Sequence, residues 1–354
     1  MTDTADVRRL FDEVAGEYDR HLPFFATFGR ELAGWCGLRP GQRVLDVAAG
    51  RGAMTLPAAR AVGPRGLVVA VDNAPNMRAV LARDRGDLPQ IKVCGMDAHR
   101  LAFPDASFDV VTCGFAFHIM HYPERAIAEA HRVLRPGGLL AFSTPGPGKP
   151  DSRWDFDELV RDVDERASEE RKRRSSEETA PELSTDPPRA LPEICAAVGF
   201  TDVEQRTVQR SFDFRDPQHY WDFVMSHGFR GHVYSLGPQL AAEFRTRLFA
   251  ALEQLQADGC ITASHGAAFT RARKPSRGAA GPGDQSPTPA RSLSGKLDET
   301  RSHPNTGSAN DKRPTAKYGH GKRTSRRQRS SRSLLQALRL RCRPCELTGR
   351  VPRL

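Results

Sequence analysis

The chain of 354 residues carries 53 Lys+Arg against 43 Asp+Glu, a net charge of +10. The excess is local: residues 276–354 hold 18 Lys+Arg and 5 Asp+Glu, a balance of +13, which leaves −3 for residues 1–275. Nothing in the balance of the body therefore asks for nucleic acid, no run approaches the roughly 18 apolar residues of a membrane span, and the charged N-terminus lacks a signal-peptide apolar region, so a cytoplasmic location is expected.

Five of the seven cysteines (Cys36, Cys94, Cys113, Cys195, Cys260) are scattered singly, as reduced buried thiols would be. Cys342 and Cys345 form one C-x-x-C with no second pair, which argues against a metal site.

In chain order, residues 5–19 read as an amphipathic helix with Val7, Leu10, Phe11 and Val14 at helical spacing. Tyr18, near its end, either lies close to a cationic ligand through cation–π attraction or belongs to a helix packed on a sheet edge. Phe24, Phe25 and Phe28 then form an apolar patch before a helix at 29–36. Residues 1–40 are thus a helical prelude.

The stretch Val44-Leu45-Asp46-Val47-Ala48-Ala49-Gly50-Arg51-Gly52 is an apolar β-run that ends at an acid and turns through small residues into a helix over 53–62. Such strand-turn-helix units hold nucleotide-like cofactors, with free helix N–H groups facing an anionic group. Gly50 and Gly52 are expected to let the backbone approach the ligand. The spacing is not that of a dinucleotide site, because Thr55 stands where the third glycine of G-x-G-x-x-G belongs. Asp46 beside the loop would repel a pyrophosphate but suits an ammonium group. A zwitterionic amino-acid moiety fits better, which points to S-adenosylmethionine.

From residue 43 strand and helix patterns alternate, as in a parallel sheet covered on both faces. A second strand, 67–71, closes on Asp72 with Asn73 beside it, 20 residues past Gly52, where a carboxylate can accept from ribose hydroxyls. A third strand at 91–94 leads to Asp97-Ala98, placed for an adenine amino group and ring nitrogen. The turn at 101–109 precedes a fourth strand, 110–113, ending in Gly114-Phe115-Ala116-Phe117-His118 over the ligand crevice. One of Phe115 and Phe117 is expected to be core. A helix from Pro123 stops before Arg135-Pro136-Gly137-Gly138, and a fifth strand follows at 139–143.

Residues 151–190 read as charged and irregular, a solvated helix and loop. A helix near 189–198, a strand around 203–214 and an amphipathic helix over 239–255 come next, with Tyr220 to His232 supplying aromatic and histidine residues. Residues 260–274 read as a closing antiparallel strand. The tail 276–354, poor in large apolar side chains, is expected to be disordered; it is either a basic arm for nucleic acid or an anionic surface, or a dispensable extension.

Val44 to Gly52, Asp72, Asp97-Ala98, Leu101 to Asp109 and Glu129-x-x-Arg132-Val133-Leu134-Arg135-Pro136-Gly137-Gly138 together resemble the class I S-adenosylmethionine-dependent methyltransferases, most closely the small-molecule group that includes ubiquinone and menaquinone C-methyltransferases. The resemblance implies a Rossmann-like, doubly wound α/β fold: a seven-stranded sheet with an antiparallel last strand. It implies a methyltransferase domain at 1–275, with the cofactor core at 41–150 and an acceptor-covering helical insertion at 215–257, whose alternative is a helical pair on the sheet edge. The family's contacts fall on Ala48, Gly50, Arg51 and Gly52 of the loop, on Asp72 and Asn73, on Asp97-Ala98, and on Gly114 with Phe115 beyond it. Ala48 replaces the usual first glycine.

The expected reaction is methyl transfer to carbon, oxygen or nitrogen of a small-molecule acceptor, driven by positioning. If a base is needed, His118 is the first candidate, ahead of His121, His227 and His232, and each has a structural role as its alternative. A nicotinamide oxidoreductase and a nucleic-acid methyltransferase or binding protein are the competing readings.

Overall fold

The computed structural model describes residues 4–146, 156–175, 190–276 and 338–341. Two helices, Thr4–Val14 (α1) and Phe24–Trp35 (α2), precede the sheet. Strands Arg43–Val47 (β1), Leu67–Asp72 (β2), Ile91–Gly95 (β3), Phe108–Gly114 (β4) and Leu134–Gly146 (β5) then alternate with helices Thr55–Val62 (α3), Pro75–Asp84 (α4) and Pro123–Val133 (α5). Helices Phe156–Ser175 (α6) and Leu191–Val198 (α7) lead to strand Thr201–Phe214 (β6). Helices Pro217–Met225 (α8), Phe229–Ser235 (α9) and Pro238–Ala257 (α10) separate it from Ile261–Arg273 (β7) and a short strand, Leu338–Arg341 (β8).

Seven strands run in the order β3-β2-β1-β4-β5-β7-β6. The first five pair in parallel, and β7 is antiparallel to both β5 and β6. This is the Rossmann-like sheet with an antiparallel last strand that the sequence led us to expect. Its central strands are apolar almost throughout because helices cover both faces. Val44, Val68 and Val110 pack with α2, α3 and the later helices, while Leu45, Val69 and Val111 pack with α5 and α7.

The Glu129-x-x-Arg132 pair on α5 holds the turn that leads into β4. Glu129 accepts from the Leu101 N–H at 2.8 Å, and Arg132 donates to Glu129 and to the Phe103 and Leu101 carbonyls at 2.7–2.8 Å. Lys274 Nζ donates to the carbonyls of His131 and Leu134 at 2.7 and 2.8 Å, satisfying acceptors at the end of α5.

Three expectations are corrected. The segment after β5 is not simply solvated and irregular: α6 buries Phe156, Leu159, Val160, Val163 and Ala167, an apolar stripe at helical spacing that the dense flanking charge obscured. The first helix stops at Val14, short of residue 19. Within the tail, Leu338–Arg341 is a strand paired with Thr262–His265 of β7, because β7 extends beyond the end of β5 and leaves edge groups to satisfy. The rest of the tail beyond Ser276, Cys342 and Cys345 included, lies outside the described residues.

Candidate active site

The acids Asp46, Asp72 and Asp97 stand at or just past the carboxyl ends of β1, β2 and β3, which are neighbours in the sheet. They border two hollows. The first is lined by Tyr18, Ala48, Gly50, Asp72, Asn73, Asp97, Ala98, Gly114 and Phe115, among others. The second is lined by Asp46, the turn from Ala48 to Met54, Asp19, Phe25, Arg30 and Ser143. Tyr18, Ala48, Gly50, Gly114 and Phe115 border both, so the two meet above the turn.

That turn is built from left-handed backbone. Ala48, Gly50 and Gly52 have φ of 51, 52 and 91°, and Phe115, facing them from the end of β4, has φ of 51°. Two residues with side chains in this conformation at one place mark a locally strained site. Phe115 is held by its N–H, which donates to the carbonyl and Oγ of Ser143 at 3.0 and 3.1 Å.

The two glycines have different reasons. A Cβ on Gly50 would meet no protein atom within 4 Å, so its place opens onto the hollows. A Cβ on Gly52 would stand 2.5 Å from Leu81 Cδ1. Gly52 is therefore required by packing against α4, and it also borders the second hollow with the rest of the turn.

Asp72 is tied to the turn. Its Oδ2 accepts from the Gly50 N–H and its Oδ1 from the Ala74 N–H, both at 2.8 Å. Each oxygen keeps a further lone pair, and burial raises the carboxyl's pKa. Asp46 is 1% exposed, and its oxygens accept from the hydroxyls of Thr55 (2.6 Å) and Thr112 (2.8 Å). Burial lifts it to about 6, against the lowering effect of those two bonds. It is a fixed charge beneath the turn rather than an open group at its mouth. Asp97 Oδ1 accepts from the N–H and Nδ1 of His99 at 2.9 and 2.6 Å.

Thr55, Thr112, Ser143 and His99 were missed by sequence reasoning. Hydroxyls near an acid carry no distinctive spacing, and only the sheet brings Thr112, 66 residues away, to Asp46.

Arg51 borders the second hollow, yet its guanidinium donates to the Tyr18 carbonyl and pairs with Asp84. It fastens the segment after α1 to the turn. Tyr18 stacks on Phe25, ring centroids 4.5 Å apart. Of the two phenylalanines after β4, Phe117 is fully buried against Phe142, while Phe115 borders both hollows.

His118 borders neither hollow; it lies in a 3-10 turn, Phe117–Ile119, with Nδ1 enclosed and its pKa pushed by burial to about 4. The turn aims the neighbours Ile119, Met120 and His121 at the first hollow instead. His232 faces Asp164 of α6, 3.4 Å away. His227 packs on Phe25 and Phe223.

A family model described as a methyltransferase domain matches residues 45–142, the span that holds these acids and the turn. The chain belongs to the class I S-adenosylmethionine-dependent methyltransferases, in their small-molecule group. It is 32% identical over 274 residues to nocamycin O-methyltransferase of Saccharothrix syringae, a match that covers 75% of this chain and 97% of that protein. It is 39% identical over 155 residues to the ubiquinone/menaquinone biosynthesis C-methyltransferase UbiE of Ectopseudomonas mendocina, covering 40% of this chain and 59% of that one. Among solved structures, the YcgJ protein of Bacillus subtilis matches with a TM-score of 0.45 and 17% identity over 70% of this chain and 99% of that one.

Among the described residues no helix is long and apolar enough to cross a membrane.

Proposed function

We propose that the joined hollows hold S-adenosylmethionine, with adenosine in the first and the methionine part in the second, and that the methyl group passes to a small molecule lying against Phe25 and Phe115. The observation that carries this is the convergence of three acids from adjacent strand ends on hollows that share the Ala48–Gly50 turn. The cofactor supplies an electrophilic methyl on a cationic sulfur.

The protein's part is placement. Asp72, oriented by the Gly50 and Ala74 N–H groups, accepts the ribose hydroxyls, with Asn73 beside it. Asp97 and the Ala98 N–H take the adenine edge. Asp46, held by Thr55 and Thr112, acts on the ammonium as a nearby fixed charge. The rings of Tyr18 and Phe115, at the junction of the hollows, face the cationic sulfur. Transfer cancels a charge instead of creating one, so catalysis comes from aligning the acceptor atom with the methyl. The helices α8–α10 cover the acceptor side. Among the described residues the five cysteines are free, in keeping with a cytoplasmic enzyme.

Calorimetric titration with S-adenosylhomocysteine and with NADH tests the reading: binding of the first and none of the second is expected, and the reverse overturns it.

A further inference from the structure

Strand β6 closes one side of the sheet, and among the described residues no strand pairs with its outer edge. It is 14 residues long and mostly exposed. Its pairing with β7 is irregular between Thr201 and Glu204 and regular from Glu204 onward. Such an edge presents a row of backbone donors and acceptors, which folded proteins commonly blunt with short strands, proline or lysine.

Which residues face outward follows from the pairing. The Lys274 N–H donates to the Gly138 carbonyl, so the even-numbered residues of β7 turn their backbone groups to β5 and the odd-numbered ones to β6. Glu204 lies opposite Arg271, Arg206 opposite Phe269 and Arg210 opposite His265. The even-numbered residues of β6 are therefore bonded to β7, while Gln205 and Thr207 turn their backbone groups outward. The Gln209 carbonyl accepts from the guanidinium of Arg210 at 2.6 Å, a contact open only to an outward carbonyl.

An antiparallel copy of the same strand fits this edge. With a two-fold axis at Thr207, outward-facing residues meet outward-facing ones, as a ladder requires, and Glu204 stands opposite Arg210 twice. Both are even-numbered, so they form non-hydrogen-bonded pairs, in which side chains stand closest. Moving the axis by one residue either way places Arg206 opposite itself or opposite Arg210, and like charges facing each other are destabilising. Glu204 and Arg210 already meet Arg271 and Glu31, yet their side chains stay 55% and 47% exposed, with room for a second partner. Charge on this edge thus selects a partner strand, and the strand it selects is its own copy.

We propose that β6 is the interface of a two-fold symmetric homodimer, in which residues 204–210 pair antiparallel with the same residues of a second copy and the two sheets become one. None of these residues borders either hollow, so the interface does not depend on what the hollows bind.

Sedimentation equilibrium of the full-length chain at micromolar concentration should give twice the mass of one chain. Thr207→Pro removes the N–H at the axis and none that β7 uses, so it should give the mass of one chain with an unchanged far-UV circular dichroism spectrum. Thr207→Cys, oxidised with copper–phenanthroline, should join two chains through a reducible bond, because the two Cα atoms would face each other about 5.5 Å apart. Ser211→Cys, about 26 Å from its own mate along the ladder, should cross-link no more than the wild type. A wild type of any other mass, or a dimer that survives Thr207→Pro, overturns the proposal. Should Thr207→Pro fail to fold, the cysteine pair decides: a cross-linking yield at position 207 no greater than at 211 overturns it.

Discussion

The Gly50 N–H and Asp72 Oδ2 are joined at 2.8 Å across 22 residues of chain. One carboxylate thereby shapes the turn and borders the first hollow. Asp72→Ala removes the acceptor for two backbone N–H groups, and it should weaken S-adenosylhomocysteine binding at least tenfold by calorimetry. It should also cost about 1–3 kcal/mol of stability for the groups left unmade. Undiminished affinity would refute the ribose assignment.

Gly52→Ala and Ala48→Gly should move stability in opposite directions. The first adds a Cβ 2.5 Å from Leu81 Cδ1 at a φ of 91° and should cost about 1–3 kcal/mol. The second relieves a left-handed alanine at φ 51° and should gain up to about 1 kcal/mol. Urea midpoints compare them directly, and a stabilising Gly52→Ala would contradict the packing argument.

Cofactor affinity should depend on pH through Asp46. Its pKa is raised from 3.8 to about 6 in the fold by burial. The ligand-free protein therefore has proton-linked stability that is present below about pH 4 and lost as pH rises through about 6. A bound cation favours the ionised acid, so S-adenosylmethionine affinity should rise from pH 5 to about 6.5 with proton release and then level off. Asp46→Asn should flatten this profile. Asp19, also raised to about 6 by burial, contributes to the stability curve in the same direction.

Arg51→Ala should loosen the N-terminal segment. The guanidinium joins the Tyr18 carbonyl to Asp84, so its loss should speed amide exchange around Tyr18 and lower cofactor affinity severalfold. Unchanged exchange in that segment would mean the clamp is idle.

Much of the fold was legible because its signals are local. The runs at β1 and β2, the proline and glycines at 136–138 and the alternation of strand with helix all follow from period and turn chemistry. Asp46, Asp72 and Asp97 could be read from their places at strand ends. The distinction between Gly50 and Gly52 could not, since both have left-handed backbone and only the approach of Leu81 separates them. Nor could the place of His118, which follows the right strand yet lies within the 3-10 segment at 117–119 and borders neither hollow.

The amino-acid sequence by itself determined the sheet, its turn and the three acids, because hydrophobic period and backbone stereochemistry act over a few residues. Only the tertiary structure decided what those acids touch, which phenylalanine faces the hollows and which strand is left at the edge of the sheet. Those relations join residues tens to hundreds of positions apart, and no local preference encodes which side chains a packed sheet will bring into contact.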